Sequence, residues 1–160
     1  MKIVIAAYAA KLATDKVNPK NYPMWGEVVR LLNEAGHEVT QIGCDGEARI
    51  HGVAHFLLNW PLERLKWLIE NSDLWISVDS FLPHLCATEG LKTGIVLWGV
   101  SDDRIWGYPH NINLVKDYKY LRKWQFAHWK DEWYDAEAFV APEAVIEAVN
   151  ERLQTQAARS

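Results

Sequence analysis

Cysteine is scarce in this chain. Cys44 and Cys86 are the only two in 160 residues, and they form no CxxC and no metal-ligand spacing. Each is read as a small buried residue. Long apolar runs are also lacking, so no segment reaches membrane-spanning length. The opening Met1-Lys2-Ile3-Val4-Ile5-Ala6-Ala7 is too short for the apolar stretch of a secretory signal, and a cytoplasmic location is expected. There is no excess of positive charge: the formal charge is −4, which argues against a general nucleic-acid binder with a basic face. A local basic pocket for one small anion stays compatible with that balance. The P-loop, GxGxxG and GxSxG motifs are missing, as are internal repeats and low-complexity tracts.

What is present fits an ordinary globular protein. Apolar residues make up 49% and charged residues 24% of the chain. The length suits one domain with a real core. That domain is placed at residues 1–153, followed by a polar C-terminal tail at 154–160. The nine tryptophans are unusual. Trp124, Trp129 and Trp133 cluster in sequence with Tyr118, Tyr120, Phe126 and Tyr134. The cluster reads as an aromatic mini-core under a long connection, or as a stacking surface for a base, a sugar or a partner chain.

Short apolar runs alternate with amphipathic stretches. Strands are predicted at Lys2 to Tyr8, Glu38 to Ile42, Asp73 to Val78, Gly94 to Trp98 and Ile112 to Val115. Helical spacing appears in Val28, Leu31, Leu32 and Ala35, after Pro23 and before the helix-ending Gly36. It recurs at Pro61 to Glu70, at about Leu82 to Glu89, and from Pro142 onward. His51 and His55 are read as a loop pair, because Gly52 argues against a helix there. The alternation predicts an α/β fold: a single Rossmann-like three-layer domain with a mostly parallel sheet. Ligands of such sheets bind beyond the carboxyl ends of the strands. The loops to search are therefore Tyr8 to Tyr22, Gly43 to Glu47, Asp79 to His84 and Gly99 to Pro109.

The segment Asp79-Ser80-Phe81-Leu82-Pro83-His84 carries the clearest signal. A strand delivers Asp79 and Ser80 to its carboxyl end, where the next helix begins with unpaired N–H groups that favour a phosphate. His84 lies one turn further on. The plainer reading makes Asp79 or Ser80 an N-cap and His84 an ordinary helix residue. A gathering of Asp45, Glu47, Asp79, His84 and Asp102 at one sheet edge would permit acid–base or metal-assisted chemistry, although no pair has a metal-binding spacing.

Asp79-Ser80-x-x-x-His84-Leu85, with Ala87, Gly90, Thr93 to Gly99 and Ser101-Asp102 after it, resembles the signature of glycosyltransferase family 9, the ADP-heptose:lipopolysaccharide heptosyltransferases. Lys20-Asn21-Tyr22-Pro23, Ile42-Gly43 to Glu47, Trp60 to Leu65 and Val140 to Val145 resemble further elements of that family, in the same order. The resemblance implies the C-terminal, donor-binding domain of a GT-B enzyme, without the acceptor-binding domain that supplies the catalytic base. It implies Lys20 at a diphosphate, Glu47 at the ribose or base, and Asp79, Ser80 and His84 at the phosphate-sugar end. Gly99, Ser101 and Asp102 complete the implied ligand-binding set, and no catalytic residue is identified. A lysine suits a diphosphate as a point charge, and a carboxylate can accept from ribose hydroxyls. Phe81 and Val100 depart from the family pattern, which has glycine and proline there.

No cofactor and no metal are expected; the implied ligand is a nucleotide or nucleotide-sugar. The first reading is a donor-binding subunit that pairs with an acceptor-domain protein. The second is a stand-alone binder of a nucleotide-derived molecule, closed as a homodimer by the aromatic region. The third is a nucleotide diphosphate hydrolase using Asp79 and His84. The first two predict no transfer by the isolated chain, and Lys20→Ala and Asp79→Ala are expected to weaken binding without unfolding it.

Overall fold

Six short strands form one sheet in the computed structural model, which describes residues 1–159. They are β1 (Lys2–Ala6), β2 (Glu38–Gly43), β3 (His55–Leu58), β4 (Leu74–Val78), β5 (Ile95–Trp98) and β6 (Ile112–Val115). The order across the sheet is β3-β2-β1-β4-β5-β6, and every neighbouring pair is parallel. The helices are α1 (Trp25–Glu34), α2 (Leu62–Glu70), α3 (Phe81–Thr88), the four-residue α4 (Asp103–Trp106) and α5 (Pro142–Ala157). The layout is the predicted Rossmann-like one.

The period-two geometry of a strand sends successive side chains to opposite faces. Because β1, β4 and β5 are apolar on both faces, Lys2 and Ser77 excepted, each feeds two cores. Ile3, Ile5, Leu74, Ile76, Val78, Ile95 and Leu97 pack with Val28, Val29 and Leu32 of α1 and Val145, Ala148, Val149 and Leu153 of α5. Val4, Ala6, Trp75, Val96 and Trp98 pack with Leu65 and Ile69 of α2 and Leu82 and Cys86 of α3. Two helix layers thus sandwich the sheet. Burial pushes the Cys86 thiol up to about 12.

Three of the tryptophans are core residues whose indole N–H finds a partner, as burial requires. Trp25 donates to Ala7 O at 2.9 Å, Trp75 to Lys92 O at 2.8 Å and Trp98 to Asn113 Oδ1 at 2.9 Å. The aromatic cluster divides. Trp129 and Trp133 meet edge to face with ring centroids 6.4 Å apart, as a mini-core would, whereas Trp124 and Phe126 stand in solvent.

Three details differ from the sequence reading. His55 is not in a loop: it opens β3, pairing with Thr40 at the edge of the sheet. The strand is hard to see in sequence because all four residues keep some exposure and form no buried apolar run. The polar loop after β5 contains α4, started by Asp102, whose side chain accepts from Arg104 N–H. The polar tail is helical at its start, since α5 continues to Ala157 and Gln156 Nε2 donates to Asp73 O at 3.3 Å. Ser160, the last residue of that predicted tail, lies outside the described residues.

Candidate functional site

After β1 the chain turns to β2 on one side, and after β4 it turns to β5 on the other. The two strands lie side by side, so their outgoing loops diverge and leave a crevice between them at the carboxyl edge. A cavity of about 660 Å³ occupies this place. Its walls come from the loop after β1, the loop after β2 and the start of α3. Lys20, Glu47, Asp79, Ser80 and His84 all line it, together with Tyr8, Lys11, Phe81 and Trp129.

Lys20 reaches the crevice because its loop is tied from within. Asn21 Oδ1 accepts from Ala9 N–H at 2.8 Å, Asn18 Nδ2 donates to Ala10 O at 2.8 Å, and Asn18 Oδ1 accepts from Lys20 N–H at 3.0 Å. Lys20 Nζ then lies 2.9 Å from Asp79 Oδ2. The contact is an ion pair by distance but does not have hydrogen-bond geometry, and the buried Asp79 Oδ2 takes no hydrogen bond. Asp79 is only 5% exposed. Of the other lysines of that loop, Lys11 also lines the cavity, whereas Lys16 pairs with Asp131 at 3.1 Å.

Arg122, which the sequence did not single out, and Trp129, expected only as part of the aromatic cluster, complete this corner. Lys20 Nζ stands 4.7 Å from the centroid of Trp129, and the Arg122 guanidinium stacks on the same ring at 3.5 Å. Arg122 is buried and within electrostatic reach of Asp79, whose charge opposes the lowering of the arginine's pKa by burial. The guanidinium also organises its own segment, donating to Ala127 O at 3.1 Å and Gln125 O at 2.6 Å. One buried carboxylate therefore pairs with Lys20 and adds its field at Arg122, with both cations against the same indole. The one available signal was the aromatic run itself, which names no cation.

Ser80 occupies the N-cap position of α3, yet its side chain makes no capping bond. Its hydroxyl lies 3.0 Å from Ser77 Oγ instead. The first-turn amides of α3 are thus left for another acceptor, Pro83 excepted. His84 Nδ1 is 2.9 Å from the Tyr108 hydroxyl. Phe81, where the resembled family has glycine, is 43% exposed at the cavity wall.

Glu47 is placed by the buried Gln41. Gln41 Nε2 donates to Ala48 O at 2.9 Å, and its Oε1 accepts from Ile50 N–H at 2.8 Å, which fixes the loop after β2. Burial holds the Glu47 carboxyl above the usual carboxylate range, and a hydrogen bond from the Cys44 main chain opposes the shift in part. The native state then binds this proton more tightly than the unfolded chain does. Stability should fall as pH rises through the window just above the ordinary glutamate value, and Glu47→Gln should flatten that dependence in urea titrations. Gly43 matters for the same side chain, because a Cβ there would collide with the Glu47 carboxylate. Gly43→Ala should therefore swing Glu47 aside, with a small effect on stability because only the end of a flexible side chain must move, while altering whatever Glu47 holds. Comparing melting with ligand titration checks both halves of that statement.

Gly99, Ser101 and Asp102 do not line the cavity. Gly99 backs onto Phe139, Ser101 is buried, and Asp102 is committed to Arg104, whose Nη2 lies 2.8 Å away. Of the gathering expected from the sequence, Asp45, Glu47, Asp79 and His84 line the one cavity and Asp102 does not; no three acidic, histidine or cysteine side chains among the described residues come together as a metal-binding group. Elsewhere, a groove of about 550 Å³ between α1 and α5 is rimmed by Glu143, Glu147 and Glu151. Its charge is wrong for a phosphate.

Neither a family model nor a curated protein sequence matches the chain. Solved structures do. The ADP-heptose lps heptosyltransferase II of E. coli superposes with a TM-score of 0.67 and 17% identity, over 97% of this chain and 47% of that one. E. coli heptosyltransferase WaaC, solved with ADP, gives 0.63 and 17%, over 94% and 44%. The iron-containing dodecameric glycosyltransferase TibC from enterotoxigenic E. coli gives 0.59 and 16%, over 88% and 36%. The chain has a heptosyltransferase-like fold. It spans less than half the length of these relatives.

Proposed function

We propose that the crevice binds a nucleoside diphosphate or nucleotide-sugar, and that the chain is the donor-binding half of a glycosyltransferase acting with a partner chain. The observation that carries this reading is the Lys20–Asp79 pair at the reversal of strand order, beside the uncapped start of α3. Lys20 and the α3 amides would meet the diphosphate. Glu47 would accept from ribose or sugar hydroxyls, while the buried Asp79, paired with Lys20, would hold that lysine toward the diphosphate. The cavity volume is in the range of small-molecule sites. The relatives support the ligand class, since WaaC was solved with ADP and TibC with ADP-D-beta-D-heptose.

Glycosyl transfer also needs a base and an acceptor site. No nucleophile–base pair appears among the lining residues, so the isolated chain should bind without turning over. Cys86 is buried as its sequence suggested, but Cys44 is exposed, because it follows β2 in the loop at the cavity, and this gives a direct test. In the native protein one thiol should react rapidly with a thiol reagent. ADP, UDP or GDP, or one of their sugars, should protect it, with matching heat in a titration. Absence of both protection and heat for every compound in that panel would remove the reading.

Phe81 favours a second reading, a stand-alone binder that does not take part in transfer. Its half-exposed ring crowds the approach to the α3 amides that a glycine would leave open. Under this reading Phe81→Gly should loosen selectivity among nucleotides, and no acceptor-domain protein should confer transfer. The cytoplasmic placement is part of the proposal and is checked by fractionation.

A further inference from the structure

The chain carries a net charge of −4, yet residues 104–130 hold six basic side chains against one acidic, Asp117. Some of these are already engaged: Arg104 pairs with Asp102, Lys116 with Glu137 and Lys130 with Glu132, while Arg122 is buried. Lys119 and Lys123 are exposed and enter no ion pair among the described residues; they stand 5.0 Å and 5.2 Å from the rings of Tyr120 and Trp124. Lys123 lines a hollow with the most exposed aromatic surface of the molecule, and Lys119 lies four residues before it on the same connection. Trp124 is 65% and Phe126 79% exposed, and Ile105, at 43%, joins them around a hollow of about 440 Å³.

This exposure belongs to an anchored tip. Gln125, between the two aromatics, donates from Nε2 to Val100 O and to Arg122 O, both at 3.0 Å. Its Oε1 accepts from Asp102 N–H at 3.0 Å. With the middle residue held inward, its neighbours on either side are turned out. Phe126 rests one edge on Trp106, with centroids 5.1 Å apart, and leaves the rest of its ring to solvent. Leaving two large aromatics in water is costly, and a rim of unpaired lysines selects the sign of what covers them.

We propose that this face docks on an anionic lipid bilayer. Trp124, Phe126 and Ile105 would enter the boundary between head groups and acyl chains, where amphipathic rings are favoured. Lys119 and Lys123 would lie over their stems and meet lipid phosphates. The distribution of charge orients the approach, since the rest of the chain is acidic and is repelled by the same surface. The face is built on the loops after β5 and β6, at the same carboxyl edge of the sheet as the cavity. Docking would therefore hold the cavity edge close to the head groups. The proposal is independent of which ligand fills the cavity.

The experiment is co-sedimentation of the whole chain with large vesicles of phosphatidylcholine, or of equal parts phosphatidylcholine and phosphatidylglycerol. The protein should pellet with the anionic vesicles only, and less so as salt is raised. Lys119→Gln with Lys123→Gln should lower the partition coefficient about thirtyfold. Trp124→Ser with Phe126→Ser should lower it at least about tenfold. Both pairs are exposed, so circular dichroism and melting should match the parent. Failure to pellet, equal pelleting with neutral vesicles, or variants that partition like the parent would each overturn the proposal. So would a dimer that dissociates on Trp124→Ser, which would assign the face to a second copy. Capture of a single-stranded oligonucleotide without vesicle binding would overturn it in favour of base stacking.

Discussion

Asp79→Ala should cost about 3–5 kcal/mol of stability, the penalty for leaving a buried charge without its partner. The carboxylate is 5% exposed and sits within reach of both Lys20 and Arg122. Arg122 cannot lose its charge, and its main-chain contacts hold it in place. Removing Asp79 leaves Lys20 without its ion-pair partner and takes from the buried Arg122 the negative charge that offsets its burial. The sequence alone led to a different expectation, loss of binding without loss of fold; burial changes that, and Asp79→Ala becomes a poor probe of binding. Lys20→Met is the better one, since Lys20 is the more exposed partner and Arg122 remains to face the carboxylate. In denaturant titrations the double change Lys20→Met, Asp79→Ala should recover part of the loss. A cost below about 1 kcal/mol for Asp79→Ala would mean that the two cations are already solvated, and that Asp79 does not organise this corner.

Gly99→Ala should also destabilise the fold, by about 1–3 kcal/mol or more, as overpacking does. A methyl group there would lie 2.5 Å from Phe139 Cζ. The ring has little room to withdraw. Phe139 is 1% exposed, and Tyr22 meets it edge-on with centroids 5.6 Å apart. Tyr22 is itself fixed, its hydroxyl donating to Val140 O at 3.0 Å. The outcome separates two roles for Gly99. If the glycine serves packing, melting falls while the folded protein keeps its affinity for nucleotide. If it serves ligand approach, as the family resemblance implies, affinity falls and melting holds.

The fold was legible where strands were apolar on both faces. Ile3 to Ala6, Leu74 to Val78 and Ile95 to Trp98 are continuous runs because two cores draw on them. β3 was not, since an edge strand with partly exposed residues has no such run. Lys20, Glu47, Asp79, Ser80 and His84 could be expected near one another because each follows a strand end, and parallel strands bring their ends to one edge. The same rule applied to Gly99, Ser101 and Asp102 brings them to the edge but not to the crevice. They follow β5, beyond β4, and their side chains or neighbours are taken up by Phe139 and Arg104. Arg122, and the place of Trp129 over Lys20, were not legible for the opposite reason. They arrive from a connection about forty residues past α3, and nothing in its aromatic pattern says which ring will cover Lys20.

The asparagine ties behind Lys20 have a kinetic meaning. Asn18 and Asn21 close the loop after β1 on itself, so its cation is in position before any ligand arrives. A phosphate that reaches the crevice meets a formed site and has little chain to order, which removes one of the usual entropic costs of association. Association should then be fast and single-phased in stopped-flow traces, with differences between ligands appearing in their dissociation rates. Asn18→Ala would add a slow step before binding while leaving the Lys20 side chain itself unchanged.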